Sequence, residues 1–166
     1  LWAQWETNHM TEVNIRVPAS PEQVWAVLAD GWSYAGWVVG ASHIRQVDAG
    51  WPAPEARIHH SVGIWPFEVH DITKVRAADP PRMLELDAHL WPFGEALVRF
   101  ELTEIEPGAT QVRMFEALKS GPGTLLPKAL QDLLLVPRNK ETLTRLRDLA
   151  VRREAGDEQV AGNDQV

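Results

Sequence analysis

Four polar residues occupy positions where apolar ones are expected. His60, Asp71, Thr73 and Glu116 lie in segments that alternate polar and apolar, each on the otherwise apolar side of its segment. Burying an ionisable group without a partner costs several kcal/mol or moves its pKa, so three on one side need an explanation. A histidine beside a carboxylate can act as a general acid/base pair or anchor a ligand carbonyl. It can also belong to a hydrogen-bonded cluster that only shapes the interior. That last reading comes first, ligand anchoring second and catalysis third, with His60, Asp71 and Glu116 as the candidate catalytic residues.

Two of these residues are brought close by a hairpin around Trp65-Pro66. A two-residue loop would place His60 opposite Asp71. Proline suits the primed two-residue turns poorly, so a four-residue loop from Trp65 to Glu68 is expected. That register puts His60 opposite Thr73, with Asp71 a diagonal neighbour about 7–8 Å away. His59 and His70 point to the other side, because neighbours on a strand alternate. At most two metal ligands therefore meet on either face, and no metal site is expected.

The elements that carry these residues follow from periodicity. Val13, Ile15 and Val17 alternate with Glu12, Asn14 and Arg16 in a first strand. Ser20-Pro21-Glu22-Gln23 starts a helix, with an N-cap serine, a first-turn proline and a glutamine placed for a capping box. A second short helix spans Ser33 to Val39. A strand from Ser42 to Val47 and five further period-two segments follow, at 56–65, 67–77, 82–90, 96–104 and 110–119. Short turns between them favour sequential antiparallel pairing. The stretch from Thr124 to Glu154 then repeats apolar residues at gaps of three and four, the pattern of one long helix with a buried face. Pro137 should bend or split it near Val136-Pro137-Arg138. Arg138-Asn139 follows, and Asn139 is expected to satisfy backbone groups freed by the proline rather than face the interior.

The inner faces carry small or medium side chains. Val62, Val69, Ala88, Ala96 and Val98 cannot fill the space under a curved sheet, so a mostly apolar pocket of about 300–1,000 Å3 is expected between sheet and helix. Its lining is expected to be His60, Val62, Val69, Asp71, Thr73, Leu86, Ala88, Val98, Phe100, Met114 and Glu116. The repeated triplets Trp65-Pro66-Phe67 and Trp91-Pro92-Phe93 sit at two hairpin ends, with the Ser120–Gly123 junction expected beside them. Trp65, Phe67, Trp91 and Phe93 are the expected rim.

Composition narrows the classes. The chain has 166 residues, 45% of them hydrophobic, enough for one domain with a core. Residues 11–154 are read as that domain, 1–10 as an extension or leader and 155–166 as an acidic disordered tail. Eight tryptophans against one tyrosine exceed what a small core usually holds, so some should line a cavity. No cysteine is present, which removes disulfides, thiolate metal sites and a cysteine nucleophile. A net charge of -7 without a basic run argues against nucleic acid and anionic membrane. No apolar run approaches the ~20 residues of a membrane span, and a cytoplasmic location is expected.

The order of elements is that of the helix-grip fold, an α+β fold in which a curved seven-stranded antiparallel sheet wraps a long C-terminal helix. The runs RVPASPEQVWAVLAD, GWSYAGWVVGASHIRQVD, WPAPEARIHHSVGIWPFEVHD, LWPFGEALV and VPRNKETLTRL resemble bacterial members of the SRPBCC superfamily. These are START-like proteins described as polyketide cyclase/dehydrase and lipid-transport proteins. The resemblance runs from Thr11 to Arg153. It implies a deep apolar cavity for a lipid, polyketide or other hydrophobic molecule and no cofactor, and it supplies no catalytic motif. The leading expectation is a carrier of a hydrophobic small molecule. A cofactor-independent cyclase or dehydratase is second, and a protein-interaction module using the same groove is third.

Overall fold

A computed structural model describes residues 10–63, 66–90 and 92–163. The alternating segments become seven strands: β1 (Thr11–Val17), β2 (Ala41–Val47), β3 (Arg57–Val62), β4 (Val69–Asp79), β5 (Met83–Leu90), β6 (Gly94–Glu106) and β7 (Ala109–Ser120). They form one antiparallel sheet in the order β1-β7-β6-β5-β4-β3-β2. Sequential hairpins account for every neighbour except β1, which returns beside β7 through Val13↔Met114 and Ile15↔Val112.

Two short helices separate β1 from β2: α1 (Pro21–Leu28) and α2 (Tyr34–Trp37). The expected capping box forms. Ser20 Oγ accepts from the Gln23 amide at 3.3 Å, and Gln23 Oε1 accepts from the Ser20 amide at 2.7 Å. The long helix α3 runs from Lys128 to Asn163 and continues through Pro137 without splitting. Proline has no N–H, so the Leu133 carbonyl lacks its usual helical donor. The helix also extends past Glu154 into residues expected to be a tail. Several good helix formers occur there, and they propagate a helix already nucleated upstream.

The helix packs chiefly along β1 and against α1 and α2. Leu135, Leu143, Leu146 and Ala150 are buried from it, and they join Val13, Val17, Val24, Leu28, Leu84, Phe100 and Val112 in the core. Its first turns differ. Leu130, Leu133 and Leu134 keep 40%, 69% and 44% of their surface exposed, so the apolar face runs beyond the sheet that covers it. At the other end Arg153 donates to the Ala26 carbonyl at 3.0 Å and pairs with Asp30, pinning the helix to α1.

The sheet has one discontinuity. The β4–β5 ladder runs from Asp79↔Met83 to Lys74↔Asp87, with a bulge between Val75 and Ala77. Among the described residues no pair joins the strands beyond it. Residues 69–73 pair only with β3, and 88–90 only with β6. A gap therefore opens between β4 and β5 at the end of the sheet where the β3–β4 and β5–β6 turns lie. The junction after β7 lies at this end too, since the Gly123 amide donates to the Phe93 carbonyl at 2.8 Å. Gly94 has φ +121°, and a Cβ there would sit 1.9 Å from the Ser120 carbonyl oxygen, so this crossing requires glycine.

Candidate functional site

The sheet, α2 with the link into β2, and the middle of α3 enclose a cavity of about 260 Å3. Of the expected lining, His60, Val62, Leu86, Ala88, Val98, Phe100 and Met114 face it, and Phe93 closes one side. The volume falls below the expected range because α2 sends Tyr34 and Trp37 inward. Both are buried, with ring centroids 5.2 Å apart, and Trp37 stands edge-on to Phe100 at 5.6 Å. Trp37 is thus a tryptophan that lines the cavity. Trp51 instead donates from Nε1 to the Leu28 carbonyl at 3.1 Å, and Trp32 is 63% exposed.

His60 and Thr73 meet as a buried polar cluster, but not in the expected register. His60 pairs with Asp71 and Ile58 with Thr73. The connection spans residues 63–68, a longer loop centred on the same point as the two-residue turn, so it keeps that register without that turn's geometry. His60 reaches Thr73 diagonally, with Nε2 3.0 Å from Oγ1. On its other side Thr73 Oγ1 lies 3.0 Å from the Tyr34 hydroxyl. Thr73 is fully buried behind these rings and does not line the cavity. Burial lowers the His60 pKa, opposed by the Asp71 charge and the Ser61 backbone, so the ring is neutral at neutral pH. Burial also pushes the Tyr34 hydroxyl up to about 12, against the Thr73 hydrogen bond. Tyr34 had no periodic signature to reveal it, since α2 is four residues long.

Asp71 was expected on the cavity wall and is elsewhere. It occupies the gap between β4 and β5, where its Oδ1 accepts the Ile72 amide at 2.7 Å and lies 2.8 Å from His89 Nδ1. Had the ladder continued, Ile72 would have paired with His89. The carboxylate replaces that pairing, which is how it avoids an apolar environment. Val69 likewise lines the outer groove at the gap rather than the cavity and is 37% exposed. His89 belongs to the outer side by alternation. The gap lets it reach both the groove and the cavity, with Nε2 3.3 Å from Glu95. Phe67 is 82% exposed and forms no part of the cavity, a correction to its expected place on the rim, since it lies in the connection between β3 and β4 outside both strands. Trp65 and Trp91 lie outside the described residues.

Glu116 is buried on β7, behind the cavity wall rather than on it. Both its oxygens accept from Arg138 Nη1, at 3.0 and 3.1 Å, and Oε2 accepts from Asn139 Nδ2 at 2.6 Å. Asn139 thus serves Glu116 and not the backbone near Pro137, as had been expected. Arg138 lines the cavity and also donates from Nε to the Val39 carbonyl at 3.4 Å. The sequence held a signal for this pair. Helical spacing places Asn139 in the buried stripe of Leu135, Thr142, Leu143 and Leu146, opposite a sheet that offers an unpaired carboxylate.

The candidate triad is therefore divided among three places. His60 lines the cavity, Asp71 fills the sheet gap, and Glu116 ties sheet to helix. The arrangement can hold a hydrophobic body against apolar walls and offer it a few polar contacts. A mostly apolar cavity between a curved antiparallel sheet and a long C-terminal helix is the arrangement of the helix-grip fold.

Residues 9–151 match the model of the family described as polyketide cyclase / dehydrase and lipid transport, and the chain belongs to that family. No curated protein matches the sequence. Among solved structures it is similar to a START superfamily protein from Mycobacterium smegmatis, with 17% identity over 87% of this chain and 98% of the other and a TM-score of 0.68. It is also similar to the Zhui aromatase/cyclase from Streptomyces sp. R1128, at 17% identity, 87% and 94% coverage and TM-score 0.64. Ara h 8.0201 matches at 13% identity, 87% and 98% coverage and TM-score 0.64. At these identities the neighbours establish the fold.

Proposed function

We propose that the chain binds and carries a hydrophobic small molecule, lipid or polyketide-like, in the cavity between sheet and α3. The observation that supports this is the cavity itself, about 260 Å3 of unfilled interior walled by Val62, Leu86, Val98, Phe100 and Met114. A core at ordinary density would leave no such space. A macromolecular ligand fits less well. On the outer sheet face Arg76, Arg99 and Arg113 are neutralised by Glu85 at 3.2 Å, Glu101 at 3.0 Å and Glu12 at 2.9 Å, which argues against a basic patch for nucleic acid on that face among the described residues. No helix among the described residues is long and apolar enough to cross a membrane.

The test is a fluorescent probe of apolar cavities, N-phenyl-1-naphthylamine. It is expected to bind one per chain and to be lost when Ala88→Phe fills the cavity, with folding checked by circular dichroism. Unchanged probe binding in the filled variant would overturn the reading. A cofactor-independent cyclase or dehydratase is the second reading, and the Tyr34–Thr73–His60 chain beside the cavity is what favours it. Replacing His60 by Gln separates the two. A carrier loses affinity by about 0.5–1.5 kcal/mol, whereas an enzyme loses turnover by ~10²–10⁴-fold with binding almost intact.

A further inference from the structure

The polar groups around the cavity constrain what it holds. Tyr34 stays protonated, and its hydroxyl has one partner, Thr73 Oγ1. Thr73 has one hydrogen to give. If Tyr34 donates to Thr73 and Thr73 donates to His60 Nε2, every hydrogen in the chain is used. The reverse order strands the tyrosine hydrogen in an apolar interior. The favoured order makes Nε2 the acceptor and puts the ring proton on His60 Nδ1. Among the described residues that nitrogen is buried and makes no hydrogen bond of good geometry, although the Ser61 backbone is near enough to favour a ring proton. Trp37 Nε1, a donor in every state, makes none either. Both rings line the cavity, and both pack against Tyr34.

Charge gives the second constraint. Among the described residues that line the cavity, Arg138 carries a permanent positive charge, and Glu116 neutralises it. His89 is held between Asp71 and Glu95. A buried carboxylate or phosphate would have no free cation to meet, and an uncompensated buried charge is strongly disfavoured.

We infer that the ligand is an uncharged molecule that presents an acceptor oxygen, such as a ketone, ester or ether, to Trp37 Nε1–H and His60 Nδ1–H. This rests on the cavity being a ligand site. Both nitrogens lie within the wall, so the contact requires each ring to turn slightly toward an oxygen lodged in the cavity. The gain is the two hydrogen bonds that the protein otherwise leaves unmade.

Three two-ring compounds of similar shape test this by displacing N-phenyl-1-naphthylamine from the full chain at pH 8: tetralin, 1-tetralone and tetralin-1-carboxylate. The informative quantity is the ratio of tetralone to tetralin affinity, because general loosening of the cavity affects both alike. Trp37→Phe and His60→Phe are each expected to lower that ratio by roughly 3- to 10-fold. The carboxylate is expected to bind at least about 100-fold more weakly than the ketone and to tighten as the solution is acidified toward its pKa. An unchanged ratio in both variants, or a carboxylate that binds as well as the ketone, would overturn the inference while leaving the cavity a ligand site. If the probe binds but the ketone does not displace it, the inference alone is overturned; if the probe does not bind, or binds unchanged in Ala88→Phe, the binding reading itself fails, and the inference falls with it.

Discussion

Two polar clusters are buried under the same sheet, and they differ in what they leave over. Around Glu116 each carboxylate oxygen accepts a hydrogen bond from Arg138, and Asn139 adds a further bond to Oε2, which leaves one buried acceptor, Asn139 Oδ1, without a partner but no unmatched donor and no unmatched charge. The charges cancel, and the contacts tie β7 to α3 and α3 to the link before β2. Around Thr73 the groups are neutral, and two donors nearby are unmatched. A closed ionic cluster fixes the relative positions of sheet and helix. An open neutral one keeps hydrogen-bonding capacity for something else.

The largest expected effect comes from opening the closed cluster. Arg138→Met leaves Glu116 buried without its cation, and urea denaturation is expected to show a loss of about 3–5 kcal/mol. Adding Glu116→Gln should recover a large part of it, because the uncompensated charge goes as well. A double variant no more stable than the single one would show that the pair is not the tie described. A smaller change is expected in the neutral cluster. Tyr34→Phe removes one hydrogen bond, worth about 0.5–1.5 kcal/mol in the same measurement. It also frees Thr73 to accept from His60 Nε2, which turns Nδ1 into an acceptor. The tetralone-to-tetralin ratio should then fall although neither Trp37 nor His60 has changed.

The smallest effect is in pH dependence. The folded-state pKa of His60 is lowered, so on acidification the unfolded chain takes up a proton before the folded one does. Stability is therefore retained above the unfolded value near ~6.5 and declines as pH falls below it. In His60→Gln the slope of stability against pH between about 7 and 5 should flatten by less than one proton. A steeper slope in the variant would mean that the ring is charged in the fold.

The strands were legible because alternation survives in most of them, although bulges break it in β2, and the inner residues of β5, β6 and β7 lie where that alternation puts them. What alternation cannot report is whether a neighbouring strand is present. Asp71 and His89 were assigned to opposite faces by a rule that assumes a continuous ladder, and the ladder stops between them. The hairpin register was misjudged because the proline ruled out a tight turn but not a longer loop centred on the same residues. Trp37 and Tyr34 sit on a helix of one turn, too short for any period to show. Arg138 was readable in principle from the helix face, but its partner lies 22 residues away on a strand.

The gap beside Asp71 makes the sheet mechanically uneven. Strands β2, β3 and the first half of β4 form one leaf, and β5, β6, β7 and β1 form the other. Among the described residues the β4–β5 ladder joins the leaves along Lys74–Asp79 and Met83–Asp87 alone. That seam is expected to act as a hinge line about which the two leaves pivot. Such a pivot would spread the gap and enlarge the interior with every rung of the seam intact, so the capacity of the cavity is expected to change without partial unfolding. Amide hydrogen exchange would register this as fast exchange for the gap-side N–H groups of 69–73 and 88–90, with the seam amides protected as strongly as those of β6 and β7.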